Sequence, residues 1–129
     1  MNEDLKELLK VAEEDLKTAK ELHTIKNYRY SSFFAQQSVE KFLKAYVLRK
    51  KGRYKFTHNT TKLILDTEEK ETINFLFEIK ADKLDRFYTG TRYPPLIEVS
   101  EEEAKEAIEI SEKVREFILK KLGLWNINQ

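Results

Sequence analysis

The chain contains no cysteine, three glycines, two prolines and two histidines among its 129 residues. Without cysteine there is no disulfide framework, no thiol nucleophile and no cysteine-based zinc site. The scarcity of Gly and Pro argues against an all-β fold rich in tight turns. His23 and His58 leave little scope for a histidine-rich metal site, so no metal or cofactor is predicted.

Long apolar runs are also missing, because no segment approaches the roughly 20 residues that a membrane span needs. Met1 is followed by Asn2, Glu3 and Asp4 instead of a basic and then apolar segment, so a secretory signal is not expected. The sequence therefore predicts one soluble, cytoplasmic domain over residues 1–129. Abundant Lys and Glu without Cys is typical of proteins from thermophiles.

The net charge of +1 conceals an uneven distribution of charge. Residues 26–62 carry 10 basic side chains and 1 acidic one, whereas residues 1–25 carry 4 and 7, and residues 63–129 carry 10 and 15. A basic central third suggests a site for phosphates or for an acidic partner. The alternative is that folding mixes the three segments and leaves no basic patch.

The spacing of apolar residues predicts five helices with short connections, four of them long and one short. The predicted helices run from about Glu3 to Leu22, from Tyr28 to Lys51 with Gly52 as the stop, from a Thr57 cap to Asp66, from Glu68 after a Thr67 cap to Gly90, and from the capping box Ser100 to Glu103 as far as Gly123. The apolar residues Leu124, Trp125 and Ile127 are expected to pack. We therefore predict an all-α, antiparallel up-and-down bundle.

One acidic residue lies within the apolar stripe of the first predicted helix. At 100° per residue, Asp15 falls between Val11, Ala12 and Ala19. A carboxylate in this position needs a partner, because burying it alone is costly. Asp15 is either a structural anchor, paired with a cation or hydroxyl from the second helix or the Arg92 loop, or an acid that faces a ligand.

The second predicted helix is apolar on two sides. One face carries a stripe from Ala35 to Tyr46, and the opposite face groups Gln37, Glu40 and Lys41 between apolar neighbours. A helix of this kind is central in its bundle or buried in an interface. The semi-buried polar row needs hydrogen-bond partners from other helices or from a ligand.

Arg53 and His58 have the spacing Arg-x4-His, which some ribonucleases use for a general acid-base pair. Because the two residues span a connection and a helix start, the alternative is that His58 simply orders this connection. His23, near the end of the first helix, is interpreted as a surface residue that complements the helix dipole.

Several strings together resemble the HEPN domains (higher eukaryote and prokaryote nucleotide-binding) over nearly the whole chain. They are Ala12-x-x-Asp15, Tyr28-x-x-Ser31-x-Phe33, the run from Ala35-Gln36-Gln37 to Lys44-Ala45, Thr57-His58-Asn59, and Thr91-Arg92-Tyr93-Pro94. The resemblance implies a helical bundle that dimerises and is often encoded beside a small nucleotidyltransferase, in some cases as a toxin-antitoxin pair. Its active members are metal-independent ribonucleases with an Arg-x4-6-His motif, in some extended to Arg-x4-His-x-Tyr.

At the matching place, this chain has Arg86 and Tyr93 in register, but Thr91 stands where the motif has histidine. Threonine is not a base near neutral pH, so the nuclease motif is degenerate. Arg86, Arg92 and Tyr93 can still bind a phosphate or stack on a base, beside Gln37 and Lys41. The resemblance also implies that Tyr93 is a position that a partner nucleotidyltransferase can adenylylate.

Three functions remain open from the sequence. The first is a dimeric module that binds nucleotide or RNA phosphate and pairs with a small nucleotidyltransferase. The second is an active metal-independent ribonuclease that uses Arg86 with a substitute base, or His58. The third is a structural homodimer without a ligand.

Overall fold

The computed structural model describes residues 2–126, and within them the chain forms helices and no β-strand. The helices are α1 (Glu3–Thr24), α2 (Tyr28–Lys51), α3 (Thr60–Asp66), α4 (Lys70–Glu78), α5 (Arg86–Thr89) and α6 (Glu101–Lys121), with a 3-10 segment (Ala81–Asp85) between α4 and α5. The predicted all-α bundle is confirmed. Leu124 and Trp125 pack against the core, while Ile127 lies outside the described residues.

Small residues hold α1 and α2 close together. The Ser31 hydroxyl donates to the Ala19 carbonyl at 2.7 Å, and the Ser38 hydroxyl donates to the Ala12 carbonyl at 2.8 Å. Because residue numbers rise along α2 as they fall along α1, the two helices run antiparallel. Both serines are buried, so each hydroxyl satisfies a hydrogen-bonding group away from water.

The central helix of the bundle is α2. Fourteen of its residues are buried, on all sides of the helix, and α1 and α6 flank it. Ion pairs of Glu13 with Arg115 and of Lys20 with Glu112 place α6 antiparallel to α1. The two apolar sides of α2 are therefore covered within one chain, and this feature does not by itself require a second copy.

Asparagine and serine side chains begin the helices. Ser100 and Glu103 form the capping box that the sequence predicts. The predicted cap at Thr57 is wrong, because the Asn59 side chain accepts the hydrogen bond at the start of α3 while Thr57 accepts from Asn59 itself. Thr67 ends α3 instead of beginning the next helix, and its hydroxyl donates back to an α3 carbonyl.

The fourth predicted helix is not continuous. Its α4 portion ends at Glu78, and Lys80 then adopts a left-handed conformation with φ 66°. The chain continues through the 3-10 segment, which still buries Ala81 and Leu84, before α5 begins at Arg86. The bundle therefore contains three long helices, and its fourth position is built from short pieces.

Gly90 allows the chain to close tightly after α5. A Cβ at this position would lie 2.8 Å from the Arg86 carbonyl oxygen and 3.0 Å from Ile97 Cγ2. The Ile97 amide donates to the Gly90 carbonyl at 2.8 Å, so residues 91–96 form a loop that returns to its own base. This loop presents Arg92 and Tyr93.

Candidate functional site

One part of the polar row on α2 is an ion pair with α1. Lys41 Nζ donates to Asp15 Oδ2 at 2.9 Å and to Gln37 Oε1 at 3.0 Å. Burial raises the pKa of Asp15, and Lys41 offsets only part of that effect. Lys41 therefore links α1 to α2 through Asp15, and the pair acts as a structural anchor.

The second part of the row is a buried carboxylate that holds a histidine. Glu40 is 1% exposed, and its oxygens accept from Lys44 Nζ and from His58 Nδ1, both at 3.0 Å. Since an ionised carboxylate only accepts hydrogen bonds, Nδ1 of His58 carries the proton. The His58 side chain is 54% exposed, and within residues 2–126 its Nε2 makes no hydrogen bond.

Aromatic rings join His58 to the Arg92 loop. The His58 ring stacks on Tyr88, with centroids 4.2 Å apart and an interplanar angle of 14°. The Arg92 guanidinium carbon lies 4.6 Å from the Tyr88 centroid, 4.5 Å from that of Phe33 and 5.2 Å from that of Tyr93. We call this set of five side chains the Tyr88 platform.

Arg92 has spare donors on the platform. Its Nε donates to the Tyr88 carbonyl at 3.1 Å, and within the described residues its two terminal nitrogens have no acceptor. Tyr93 beside it is 56% exposed. The platform therefore presents a positioned guanidinium and an accessible phenol ring, a combination suited to phosphate and to an unpaired base.

Arg86 of the degenerate motif is paired with an acid. Arg86 donates to Glu103 Oε2 at 2.7 Å and packs over Phe87. Backbone and side-chain hydrogen bonds from Ser100, together with the bond from Arg86, hold the pKa of Glu103 at about 2, so Arg86 faces an ionised carboxylate near neutral pH.

Thr91 lies inside the protein. It is 0% exposed, and its hydroxyl donates to the Phe87 carbonyl at 2.6 Å. Arg86 and Arg92 have different contact partners, since Arg86 pairs with Glu103 whereas Arg92 packs on Phe33, Tyr88 and Tyr93.

Arg53 and His58 also differ in their contacts. Arg53 is exposed, and among residues 2–126 it makes no hydrogen bond or ion pair. The partner of His58 is Glu40, which lies outside the Arg-x4-His pattern.

Two clefts elsewhere contain ion pairs. A cleft of about 540 Å³ between α1 and α6 contains the pairs Glu13–Arg115 and Lys20–Glu112 near Trp125, and none of the predicted site residues line it. A smaller cleft of about 280 Å³ contains Arg86 together with its acidic partner. Within the described part of the chain, no group of acidic or histidine side chains could hold a metal, and no helix could span a membrane.

Sequence reasoning identified Gln37, Glu40 and Lys41 on one face of α2, but it missed the role of Tyr88. Tyr88 follows His58 by 30 residues, and no local spacing links the two. The sequence contains a signal for one other member of the platform, because the helical register places Phe33 on the same face of α2 as Glu40.

Comparisons with known proteins agree with this fold. A model of the HEPN domain family matches residues 5–122. The crystal structure of TT1696 from Thermus thermophilus is similar, with 28% identity over 91% of this chain and 97% of that one and a TM-score of 0.81. ST0689, an archaeal HEPN homologue, has the same fold, with 24% identity over 92% of this chain and 97% of that one and a TM-score of 0.73. Among curated proteins, none matches significantly. Since the family model spans nearly the whole described chain, this protein belongs to the HEPN domain family.

Proposed function

We propose that this protein is a HEPN module that binds the phosphate of a nucleotide or of RNA on the Tyr88 platform. The observation that carries the proposal is that the terminal nitrogens of Arg92 have no acidic partner within residues 2–126. The Arg92 guanidinium is held between aromatic rings. Arg86, by contrast, is paired with Glu103 and has an acid where a phosphate would bind.

The position of Thr91 supports a protein that binds RNA but does not cleave it through the family motif. A general base must reach the proton that it removes. A buried threonine hydroxyl that already donates to Phe87 has neither the basicity nor the access. The degenerate motif supports a binding module instead of a motif-dependent ribonuclease.

The same proposal includes a homodimer and a small nucleotidyltransferase partner, as in toxin-antitoxin pairs of the family. Tyr93 is the residue that such a partner would adenylylate, and its exposure supports that role. Co-expression with a nucleotidyltransferase encoded beside this gene should add one adenylyl group, detected by mass spectrometry. The added mass should be absent from Tyr93→Phe and unchanged in Tyr30→Phe, a second exposed tyrosine.

Titration with ribonucleotides and with a short single-stranded RNA tests the binding function. We expect Arg92→Ala to weaken binding by about tenfold or more, because a charge-assisted hydrogen bond is lost. Arg49→Ala is the matched control: Arg49 is exposed on α2 about 24 Å along the helix from Phe33. Binding that is equally strong in both variants would contradict the proposed site. Absence of any binding would favour the structural homodimer.

A second function is favoured by the pair of Glu40 and His58. A buried carboxylate that orients an exposed imidazole is the arrangement of a general base. His58 Nε2 would accept the 2′-hydroxyl proton of RNA while Arg92 stabilises the phosphate. RNA cleavage in EDTA that is present in the wild type, lost in His58→Ala and retained in His23→Ala would establish this ribonuclease and refute the binding-only module.

A further inference from the structure

Three contacts fix the position and orientation of His58. Its Nδ1 is fixed by Glu40, its ring lies flat on Tyr88, and its backbone carbonyl accepts from Gln36 Nε2 at 3.4 Å. These three constraints leave Nε2 as the part of the side chain that a ligand can use. The degenerate family motif assigns no role to this histidine.

His58 and Arg92 share the Tyr88 ring as a common contact. The His58 centroid is 4.2 Å and the Arg92 guanidinium carbon 4.6 Å from the Tyr88 centroid, so the two groups can be no further apart than the sum of these distances. A nucleotide or a short RNA strand bound by Arg92 therefore also lies near His58, because both side chains contact the same ring.

The charges around His58 make its protonation state matter. His58 contacts Glu40 and Tyr88 directly. The next charged groups are Lys44, which is paired with Glu40, Arg92 on Tyr88, and Asp85, which accepts from the Thr60 and Thr61 amides at the start of α3. Glu40 and Lys44 neutralise each other at 3.0 Å. With Asp85 counted against Arg92, these groups carry no net charge when His58 is neutral and one net positive charge when His58 is protonated.

We infer that His58 is the second cationic contact of the nucleotide or RNA strand bound by Arg92, and that protonation of His58 strengthens binding. This inference rests on the proposed function and adds the residue that regulates the site. Histidine is the side chain that gains a proton between about pH 8 and pH 5.5. An added N–H donor with positive charge increases affinity by about tenfold.

The test uses a fluorescent 2′-O-methyl oligoadenylate of about eight nucleotides, a length within the usual range for single-strand sites. This probe has no 2′-hydroxyl to react, and its phosphodiesters keep one negative charge throughout the pH range, so neither cleavage nor ligand titration intervenes. Fluorescence anisotropy at about pH 5.5 and about pH 8 compares the wild type with His58→Gln, His23→Gln and Arg92→Ala. Neither glutamine nor asparagine titrates, and the asparagine Nδ2 matches the position of the Nδ1 donor to Glu40. His58→Asn is the second variant if the glutamine variant is not folded by circular dichroism.

We expect the wild type and His23→Gln to bind about tenfold more tightly at the lower pH, and His58→Gln to bind equally at both. Equal binding by the wild type at the two pH values, or a pH dependence that survives in His58→Gln, would overturn the inference. If Arg92→Ala weakens binding while pH has no effect, the proposed function stands and the role of His58 is refuted. If nucleotides and RNA fail to bind under all conditions, both are refuted.

Discussion

At the scale of single residues, the buried position of Thr91 supports the proposed difference from ribonucleases that carry an Arg-x4-6-His motif. The histidine of their motif must face the substrate, whereas Thr91 faces the core and donates to the Phe87 carbonyl. The two residues therefore differ in the direction in which their side chains point as well as in their chemistry. Restoring the residue type alone does not restore the site.

We expect Thr91→His to destabilise the fold without creating a ribonuclease. An imidazole is larger than threonine and has no space at a fully buried position, so overpacking should cost about 1–3 kcal/mol. Urea unfolding measures the loss, and an RNA assay in EDTA checks activity. Thr91→Val, which keeps the volume and removes the hydroxyl, should cost about 1 kcal/mol. New cleavage by a stable Thr91→His variant would show that the side chain can turn outward.

Asp15 is a structural residue by the same reasoning, because its carboxylate is bound by Lys41 and lies 13% exposed. We expect Asp15→Ala to lower the free energy of unfolding by about 2 kcal/mol, since it leaves a partly buried ammonium with only the Gln37 oxygen. Chemical denaturation of Glu14→Ala, the exposed neighbouring acid, is the control and should change stability by less than about 0.5 kcal/mol. A similarly small effect for Asp15→Ala would contradict the anchor.

At the scale of elements, the sequence predicts α2 and the capping box of α6 correctly because each carries a strong local signal. Gly52 adopts the left-handed conformation that ends α2, and Ser100 with Glu103 begins α6. The break after Glu78 has no such signal, since Lys80 is an unusual residue for φ 66°. The apolar spacing of the predicted helix continues across the break, so periodicity alone could not reveal it.

Tertiary contacts instead define the short elements, and Glu69 is the clearest example. It accepts from Tyr46 on α2 at 2.7 and 2.8 Å and from Thr72 on α4 at 2.7 Å, and it pairs with Lys121 of α6 at 3.6 Å. Burial alone would raise the pKa of Glu69, but hydrogen bonds from Tyr46, Thr72 and Lys50 outweigh it and hold the pKa at about 2.

A group whose pKa is lowered on folding stabilises the fold above its unfolded pKa, here 4.5, and loses that contribution as the pH falls towards its folded pKa. We therefore expect Glu69→Gln to cost about 2 kcal/mol near pH 7 and little near pH 2. Denaturant unfolding at several pH values measures this difference. Glu71→Gln is the exposed control and should show no such pH dependence. A cost for Glu69→Gln that is constant with pH would contradict the network.

At the scale of the whole molecule, folding mixes the charged segments of the chain. Of the ten cations in residues 26–62, five form ion pairs within residues 2–126, and four of these five pair with acids from the other two segments. The five pairs are Lys41–Asp15, Lys44–Glu40, Lys50–Glu69, Lys51–Asp66 and Lys55–Asp66. The basic third of the sequence is therefore only partly a basic surface.

The candidate site illustrates the same limit on prediction from sequence. The helical spacing alone predicts that Glu40 and Lys41 share one face, because both lie on α2. The platform itself combines α2, the loop before α3, α5 and the loop after it, and these meet only once the core has formed. Residue types predicted both Arg86 and Arg92 as phosphate contacts, and only the fold shows that Arg86 is paired with Glu103.

The charge pairing predicts a weak salt dependence for binding to single-stranded RNA. Each phosphate contact contributes about −0.7 to the slope of log affinity against log salt concentration. A site with Arg92 and a protonated His58 makes one or two such contacts, so we expect a slope of about −1, whereas ten available cations would give about −7. Anisotropy titrations over a range of salt concentrations measure the slope, with Arg49→Ala as a control that should leave it unchanged. A slope steeper than about −3 would show that the paired lysines exchange their carboxylates for phosphates, and the Tyr88 platform would then be only part of a larger basic surface.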